Sequence, residues 1–181
     1  CDVGMLPYAV AEETQRLAVI FAEHRKWPGD PFIQRKALVA AAALAHFAQD
    51  LCQPLHTTVH YDGRVIPGGP KPQKGIHLKL DALIQKVPPA EAQTLAVEAR
   101  VLPGLWDAVL AQLNDSHALV DKVYEMEPAW PAADAPLEPG SPAALFAAER
   151  LRLAASFTAS LYATAWRLSE KPLLPEWHTR P

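Results

Sequence analysis

The sequence predicts an all-α protein, and composition and spacing carry that prediction. Half of the 181 residues are hydrophobic, and alanine and leucine, which favour helices, dominate over the β-branched residues that favour strands. Apolar residues recur at helical spacing along most of the chain. A chain of this length can bury a core without disulfides. We therefore expect one helical domain over residues 1–170, with about five main helices, followed by an extended tail over residues 171–181.

The first helix is predicted from Leu6 to about Arg25, because Pro7 suits a first helical turn and charges separate the apolar positions. The candidate inward positions of this helix are Val10, Leu17, Ile20 and Phe21. Residues 27–29, Trp-Pro-Gly, then break the pattern.

A second helix is predicted from Asp30, as the N-cap, and Pro31, in the first turn, to about Cys52. Its many alanines predict close packing against neighbouring helices rather than exposure. The glycines and prolines of residues 57–75 predict an ordered surface loop.

Three further helical stretches follow this loop in the sequence. The third helix is predicted over residues 76–87, and periodicity resumes over residues 90–126 with a break at Pro103-Gly104. Residues 128–142 lack periodicity and predict a connector. Ser141 and Pro142 then start a last helix that reaches about Ser169. Its candidate inward positions are Leu145, Leu153, Phe157, Leu161 and Trp166.

Charge, hydropathy and cysteine count exclude several classes of protein. The net charge of −3 and pI near 6.2 leave no basic field, so a stable nucleic-acid partner held by phosphate neutralisation is not expected. The uncharged run over residues 37–49 is shorter than the ~20 residues of a membrane-spanning helix.

Two cysteines, Cys1 and Cys52, cannot build a disulfide framework, and we expect Cys52 to be a small buried residue. No secretory signal pattern is visible. We expect a monomer.

Five nitrogen and oxygen donors lie close together in the sequence and predict a metal site. His46 and Asp50 are four residues apart on a predicted helix, which places them on one face, and His77 and Asp81 repeat the arrangement. Between the pairs, His56 follows a proline that should end the second helix. Because three of the five donors are nitrogen, zinc is favoured over calcium or magnesium.

The donors divide into one complete set and one incomplete set. His56, His77 and Asp81 would form a three-ligand zinc site, which is the form that catalytic zinc takes. His46 and Asp50 would belong to a second metal that needs further ligands. His60 lies four residues after His56, but a turn is favoured over a helix there, so a direct role for His60 is disfavoured.

Two runs of sequence carry a family resemblance. They are His46-x-x-x-Asp50-x-x-Gln53-Pro54-Leu55-His56 and Gly75-Ile76-His77-x-x-x-Asp81. Together they resemble the metal-binding core of the zinc-dependent phospholipase C and single-strand-specific nuclease superfamily, and weaker similarity extends from residue 6 through the last helix.

The resemblance implies an all-α fold around up to three clustered zinc ions. It also implies that these ions take part in the hydrolysis of phosphate esters. It implies that His46 binds a first zinc and that Asp50 bridges the first and third zincs and orients the attacking water, as the catalytic carboxylate. It implies that His56, His77 and Asp81 bind the second zinc. An aspartate as the last ligand is similar to the nucleases, whereas the short Gly-Ile-His approach is similar to the phospholipases.

The family's remaining ligands are an N-terminal tryptophan, two histidines and an aspartate, and they have no match in this chain. Since the chain begins at Cys1 rather than methionine, we expect that a preceding segment supplies them. The expected function is hydrolysis of phosphodiester bonds in phospholipid or nucleic acid. The alternative is a non-catalytic, metal-stabilised helical domain or inactive fragment with an incomplete zinc cluster. Because the relatives are mostly exported, the resemblance implies a secreted or periplasmic protein.

Overall fold

The computed structural model describes residues 4–65, 68–69, 72–88, 97–132, 134–172, 174–176 and 178. Within them the regular structure is helical, which confirms the all-α prediction. The helices are α1 Leu6–Lys26, α2 Pro31–Cys52, α3 Ile76–Gln85, α4 Leu105–His117, α5 Val120–Met126 and α6 Pro142–Leu168. Single 3-10 turns cover Pro54–Thr57 and Glu127–Ala129. The five helices of ten or more residues match the number expected from the sequence.

Helix α1 packs against α2 and α6 and buries the predicted side. Val10 and Leu17 are fully buried and Ile20 is 2% exposed, while Phe21 packs against this core from a partly buried position. Leu161 of α6 lies in the same cluster. This first core holds α2 along one side.

Helix α2 begins as predicted but is less completely packed than expected. The side chain of Asp30 accepts hydrogen bonds from the backbone N–H groups of Phe32 and Ile33, at 2.8 and 3.3 Å. Leu38 and Val39, however, are each 72% exposed. The prediction of close packing rather than exposure does not hold for these two residues, because a helix meets its neighbours along one stripe and they lie outside it.

A second core lies between α3, α5 and α6. Leu55 from the 3-10 turn, Ile76 and Leu80 from α3 and Val123 from α5 are fully buried in it. Leu51, at the end of α2, belongs to the first core instead. The residue that follows Leu55 is therefore held at the junction of the two cores.

The stretch before α4 departs from the predicted helix over residues 90–126. Residues 89–96 lie outside the described residues, and residues 97–104 are not helical. Backbone N–H groups at positions 98, 100 and 102 instead donate hydrogen bonds to hydroxyls along α6, those of Ser156, Ser160 and Thr164. These tertiary hydrogen bonds satisfy the segment without a helix. Helix α4 then starts directly after the predicted break at Pro103-Gly104.

Helix α6 starts where the sequence predicts, since the hydroxyl of Ser141 accepts a hydrogen bond from the N–H of Ala144 at 3.2 Å. Phe157 and Leu161 are buried as predicted. Leu145 and Trp166 are 64% and 43% exposed, so their inward assignment is wrong. The guanidinium of Arg25 instead lies over the ring of Trp166, 3.9 Å from the ring centroid.

After α6, His178 packs against the end of α1 and the residue that follows it. Its Nε2 lies 3.2 Å from Oε1 of Glu23, and its ring is 5.3 Å from that of Trp27. The boundary between a domain at residues 1–170 and a tail at 171–181 remains a prediction. Among the described residues, none of the helices has the length and apolar character needed to span a membrane.

Candidate metal centre

The C-terminal half of α2 presents the first predicted pair. His46 and Asp50 lie one helical turn apart, with His46 Nε2 3.4 Å from Asp50 Oδ2. The His46 side chain is 69% exposed, whereas that of Asp50 is 25% exposed. Asp50 is thus the inner member of the pair.

The turn after α2 brings His56 back towards that helix. Gln53 leaves the helix in an extended conformation, and Pro54 occupies the first turn of the 3-10 helix. The Gln53 side chain accepts a hydrogen bond from the N–H of Leu55, whose buried side chain anchors the turn. Nδ1 of His56 consequently lies 3.9 Å from Oδ2 of Asp50.

Helix α3 supplies the second predicted pair. The backbone reaches α3 through Gly75 at φ +89°, a conformation that glycine adopts without strain. Oδ1 of Asp62 accepts a hydrogen bond from the N–H of Gly75 at 2.7 Å and lies 3.5 Å from the N–H of His77. His77 Nε2 is 3.5 Å from Asp81 Oδ2.

The turn and α3 together form one compact group of donors. His56, His77 and Asp81 each offer a ligand atom, and these atoms lie within 4.8 Å of one another. The rings of His56 and His77 are 4.7 Å apart. On the far side of the carboxylate, Gln53 Nε2 donates to Asp81 Oδ1 at 3.0 Å. The group is the predicted three-ligand set, and Gln53 fixes its carboxylate.

The spacing of these donors fits a metal ion better than direct hydrogen bonding. The two His–Asp pairs are 3.4 and 3.5 Å apart, beyond the usual N–O hydrogen-bond length of about 2.7–3.2 Å. Tetrahedral zinc with bonds of about 2.0–2.1 Å places neighbouring ligand atoms about 3.4 Å apart. Nδ1, the other nitrogen of the His77 ring, is buried without a hydrogen-bond partner among the described residues. His56, His77 and Asp81 therefore form a candidate metal-binding group.

Burial also favours the protonation state that binds a metal. It lowers the pKa of His56, with smaller lowering effects from His77 and His46 and opposing effects from Asp50 and Asp81. A lowered pKa keeps the imidazole neutral at physiological pH, and neutral imidazole is the ligand form.

A cavity of about 600 Å³ adjoins the donors. His46, Asp50, His56 and Asp81 line it together with Arg150 and a small apolar wall from α6. Cys52 also borders it; it is 1% exposed, as predicted, and burial raises the pKa of its thiol to about 12. The cavity gives a small ligand access to four of the five predicted donors.

His60 does not belong to the donor group. Its Nδ1 accepts a hydrogen bond from the N–H of Val65 at 3.0 Å, and its carbonyl accepts one from the hydroxyl of Tyr124. His60 therefore organises the turn that the sequence predicts at this point.

The sequence analysis assigned no supporting role to three residues that lie at the site. Asp62 signalled only a turn, because the N–H groups that it binds lie 13 and 15 residues away. Arg150 carried no signal among the charges of the last helix. Gln53 was part of the motif, but its hydrogen bond to Asp81 spans 28 residues.

A scan against protein-family models and searches of curated proteins and of solved structures found no match to this chain. The resemblance to the zinc phospholipase C and nuclease superfamily thus remains a prediction that rests on the residues themselves.

Proposed function

We propose that this chain is a zinc-dependent hydrolase of phosphate esters that acts through metal-activated water, on phosphodiester bonds of phospholipid or nucleic acid. The observation that carries the proposal is the group of His56, His77 and Asp81, together with the neighbouring carboxylate of Asp50 at the same cavity. Three nitrogen and oxygen ligands with an open position are characteristic of catalytic zinc.

The residues have separate roles in this proposal. His56, His77 and Asp81 hold one zinc, and His46 with Asp50 contributes to a second that requires ligands beyond these two. Bound zinc would lower the pKa of a coordinated water to about 7 and would act as a Lewis acid towards the phosphoryl oxygens.

Asp50 is the proposed catalytic carboxylate. Its Oδ2 lies 3.4 Å from His46 and 3.9 Å from His56, between the two sets of ligands. At this position it can orient a water molecule and accept its proton.

The thiol in the cavity supports water, rather than a side chain, as the nucleophile. With its pKa raised to about 12 by burial, Cys52 is a thiol at neutral pH, whereas the thiolate is the nucleophilic form.

Substitution of Asp50 tests the proposal. The zinc-loaded protein should cleave bis(p-nitrophenyl) phosphate, phosphatidylcholine or single-stranded DNA, and Asp50→Asn should reduce the rate by at least about a hundredfold, the lower end of the usual loss for a general base. Circular dichroism should remain that of the wild type. Asp115→Asn, an exposed aspartate on α4, is the matched control. A wild-type rate in Asp50→Asn would remove Asp50 from the chemistry.

A specific observation also favours the alternative, a non-catalytic metal-stabilised domain or inactive fragment. Among the described residues, the candidate metal group contains three residues and does not include His46, whose side chain is 69% exposed. A protein that binds zinc tightly but cleaves none of the three substrates would support this alternative.

Partners and location complete the proposal. We propose a monomer without a stable nucleic-acid partner, since the net charge is −3, and a secreted or periplasmic location. Gel filtration tests the oligomeric state, and fractionation of the source cells tests the location.

A further inference from the structure

One charged residue of the cavity is a buried arginine that has no part in the proposed hydrolysis. Arg150 lies on α6 and its side chain is 8% exposed, although arginine is seldom this deeply buried unless it is paired. It lines the same cavity as His46, Asp50, His56 and Asp81. The proposed hydrolytic chemistry assigns it no role.

The hydrogen-bonding capacity of Arg150 is largely unused. A guanidinium carries five N–H donors, and Nη2 contacts the carboxylate of Glu149 at 3.1 Å. Nε is buried without a hydrogen-bond partner among the described residues. Glu149 is itself 51% exposed, so it is a weak partner for a buried cation.

The other carboxylates of the cavity do not neutralise Arg150. Among the described residues, Glu149 is the one carboxylate within 4.0 Å of the guanidinium; Asp50 and Asp81 face histidines instead.

We propose that Arg150 is an anion-binding residue that receives a phosphate group in this cavity. The planar guanidinium matches two phosphate oxygens at once, and such charge-assisted pairs are strong where water is excluded. The inference rests on the proposed function, because Arg150 lines the same cavity as four of the proposed metal ligands and would bind anionic oxygens of the same phosphate. It specifies the substrate as an ester whose phosphate is anionic.

Calorimetric titration with inorganic phosphate tests the proposal on the zinc-free and zinc-loaded protein. Wild-type protein should bind phosphate in both forms, and Arg150→Met should weaken binding by about tenfold or more, as loss of a buried charge-assisted pair does. Arg150→Lys keeps the positive charge but loses the planar group that can bind two phosphate oxygens at once, so it should bind phosphate more weakly than wild type. Arg167→Met, on the same helix with a side chain 65% exposed, should bind as wild type does.

Several outcomes would overturn the assignment: no phosphate binding by wild type, or wild-type affinity in Arg150→Met or Arg150→Lys. If Arg150→Met does not fold, Arg150→Lys decides the question. Zinc content and hydrolysis are measured on the same samples, so the two proposals separate. Arg150-dependent phosphate binding without hydrolysis supports the anion site and contradicts the enzyme. Hydrolysis with phosphate binding unchanged in Arg150→Met supports the enzyme and contradicts the anion site.

Discussion

At the scale of the single residue, Gln53 connects the chain's turn to its candidate metal ligands. Its side-chain oxygen accepts a hydrogen bond from the N–H of Leu55, and its side-chain nitrogen donates one to Asp81. The residue is 6% exposed; its hydrogen bond with Leu55 is buried, and that with Asp81 is partly buried. One side chain thereby positions the turn that carries His56 and the carboxylate from α3.

Replacing Gln53 should weaken zinc binding without removing a ligand. Gln53→Ala leaves Asp81 without its orienting donor, and such partners of metal ligands are typically worth about 10–100-fold in affinity. Titration against a chelator of known zinc affinity measures the change. Gln34→Ala, at an exposed position of α2, is the control. Unchanged affinity in Gln53→Ala would show that Asp81 needs no support from this amide.

The buried thiol gives a pH-dependent prediction. Because burial raises the pKa of Cys52 to about 12, the folded state disfavours the thiolate. The contribution of the protonated thiol to the free energy of unfolding is fully present below the pKa of about 9 that the thiol has in the unfolded chain. This contribution is lost as pH rises towards 12. In a Cys1→Ser background, Cys52 should resist a thiol reagent at pH 8.5 and react once denaturant unfolds the chain. Rapid reaction of the native protein would contradict the burial of this thiol.

Local spacing was enough to identify the metal-ligating candidates but not their supporting residues. The separations of His46 from Asp50 and of His77 from Asp81 predict each pair, because helical geometry fixes neighbours four residues apart. The contact of Gln53 with Asp81 depends on how α2 and α3 meet. Long-range packing of this kind leaves no periodic signal.

At the scale of the element, the start of α3 depends on a residue outside the helix. Gly75 has no side chain to cap α3, and Asp62 supplies the acceptor from the preceding loop. Since His77 lies in the first turn of α3, the carboxylate of Asp62 stabilises the backbone that carries a candidate ligand.

Removal of this carboxylate should affect both stability and metal binding. Asp62→Ala should lower the free energy of unfolding by about 1 kcal/mol, the usual loss for a helix-capping side chain, and should weaken zinc binding. Asp62→Asn retains an acceptor oxygen and should lose less. Urea denaturation of the zinc-free protein and zinc titration measure the two effects. Equal stability of wild type and Asp62→Ala would contradict the capping role.

Helix boundaries were predictable where one residue caps them and unpredictable where tertiary contacts decide. Asp30 and Ser141 cap α2 and α6 as the sequence indicates. Residues 97–104 avoid a helix because hydroxyls of α6 bind their N–H groups. Trp166 is 43% exposed with Arg25 packed over its ring, a tertiary contact that helical periodicity does not encode.

At the scale of the whole molecule, the candidate metal centre lies where two hydrophobic cores meet. Leu51 belongs to the first core and Leu55 to the second, and the turn between them leads directly to His56. Helix α6 contributes Leu161 to one core and Phe146 to the other. A metal bound by the turn and α3 would therefore stabilise the junction, because a ligand that binds only the folded state shifts the equilibrium towards it.

The measurement that tests the central claim most directly is the zinc content per chain after zinc supplementation and exhaustive dialysis. Elemental analysis should give about one tightly held zinc for the wild type, as three protein ligands and water close one site. His77→Ala should lose this zinc, while His24→Ala, which alters a histidine of α1 outside the donor group, should retain it. A wild-type protein without zinc, or equal zinc content in wild type and His77→Ala, would contradict the assignment of His56, His77 and Asp81 as a zinc site.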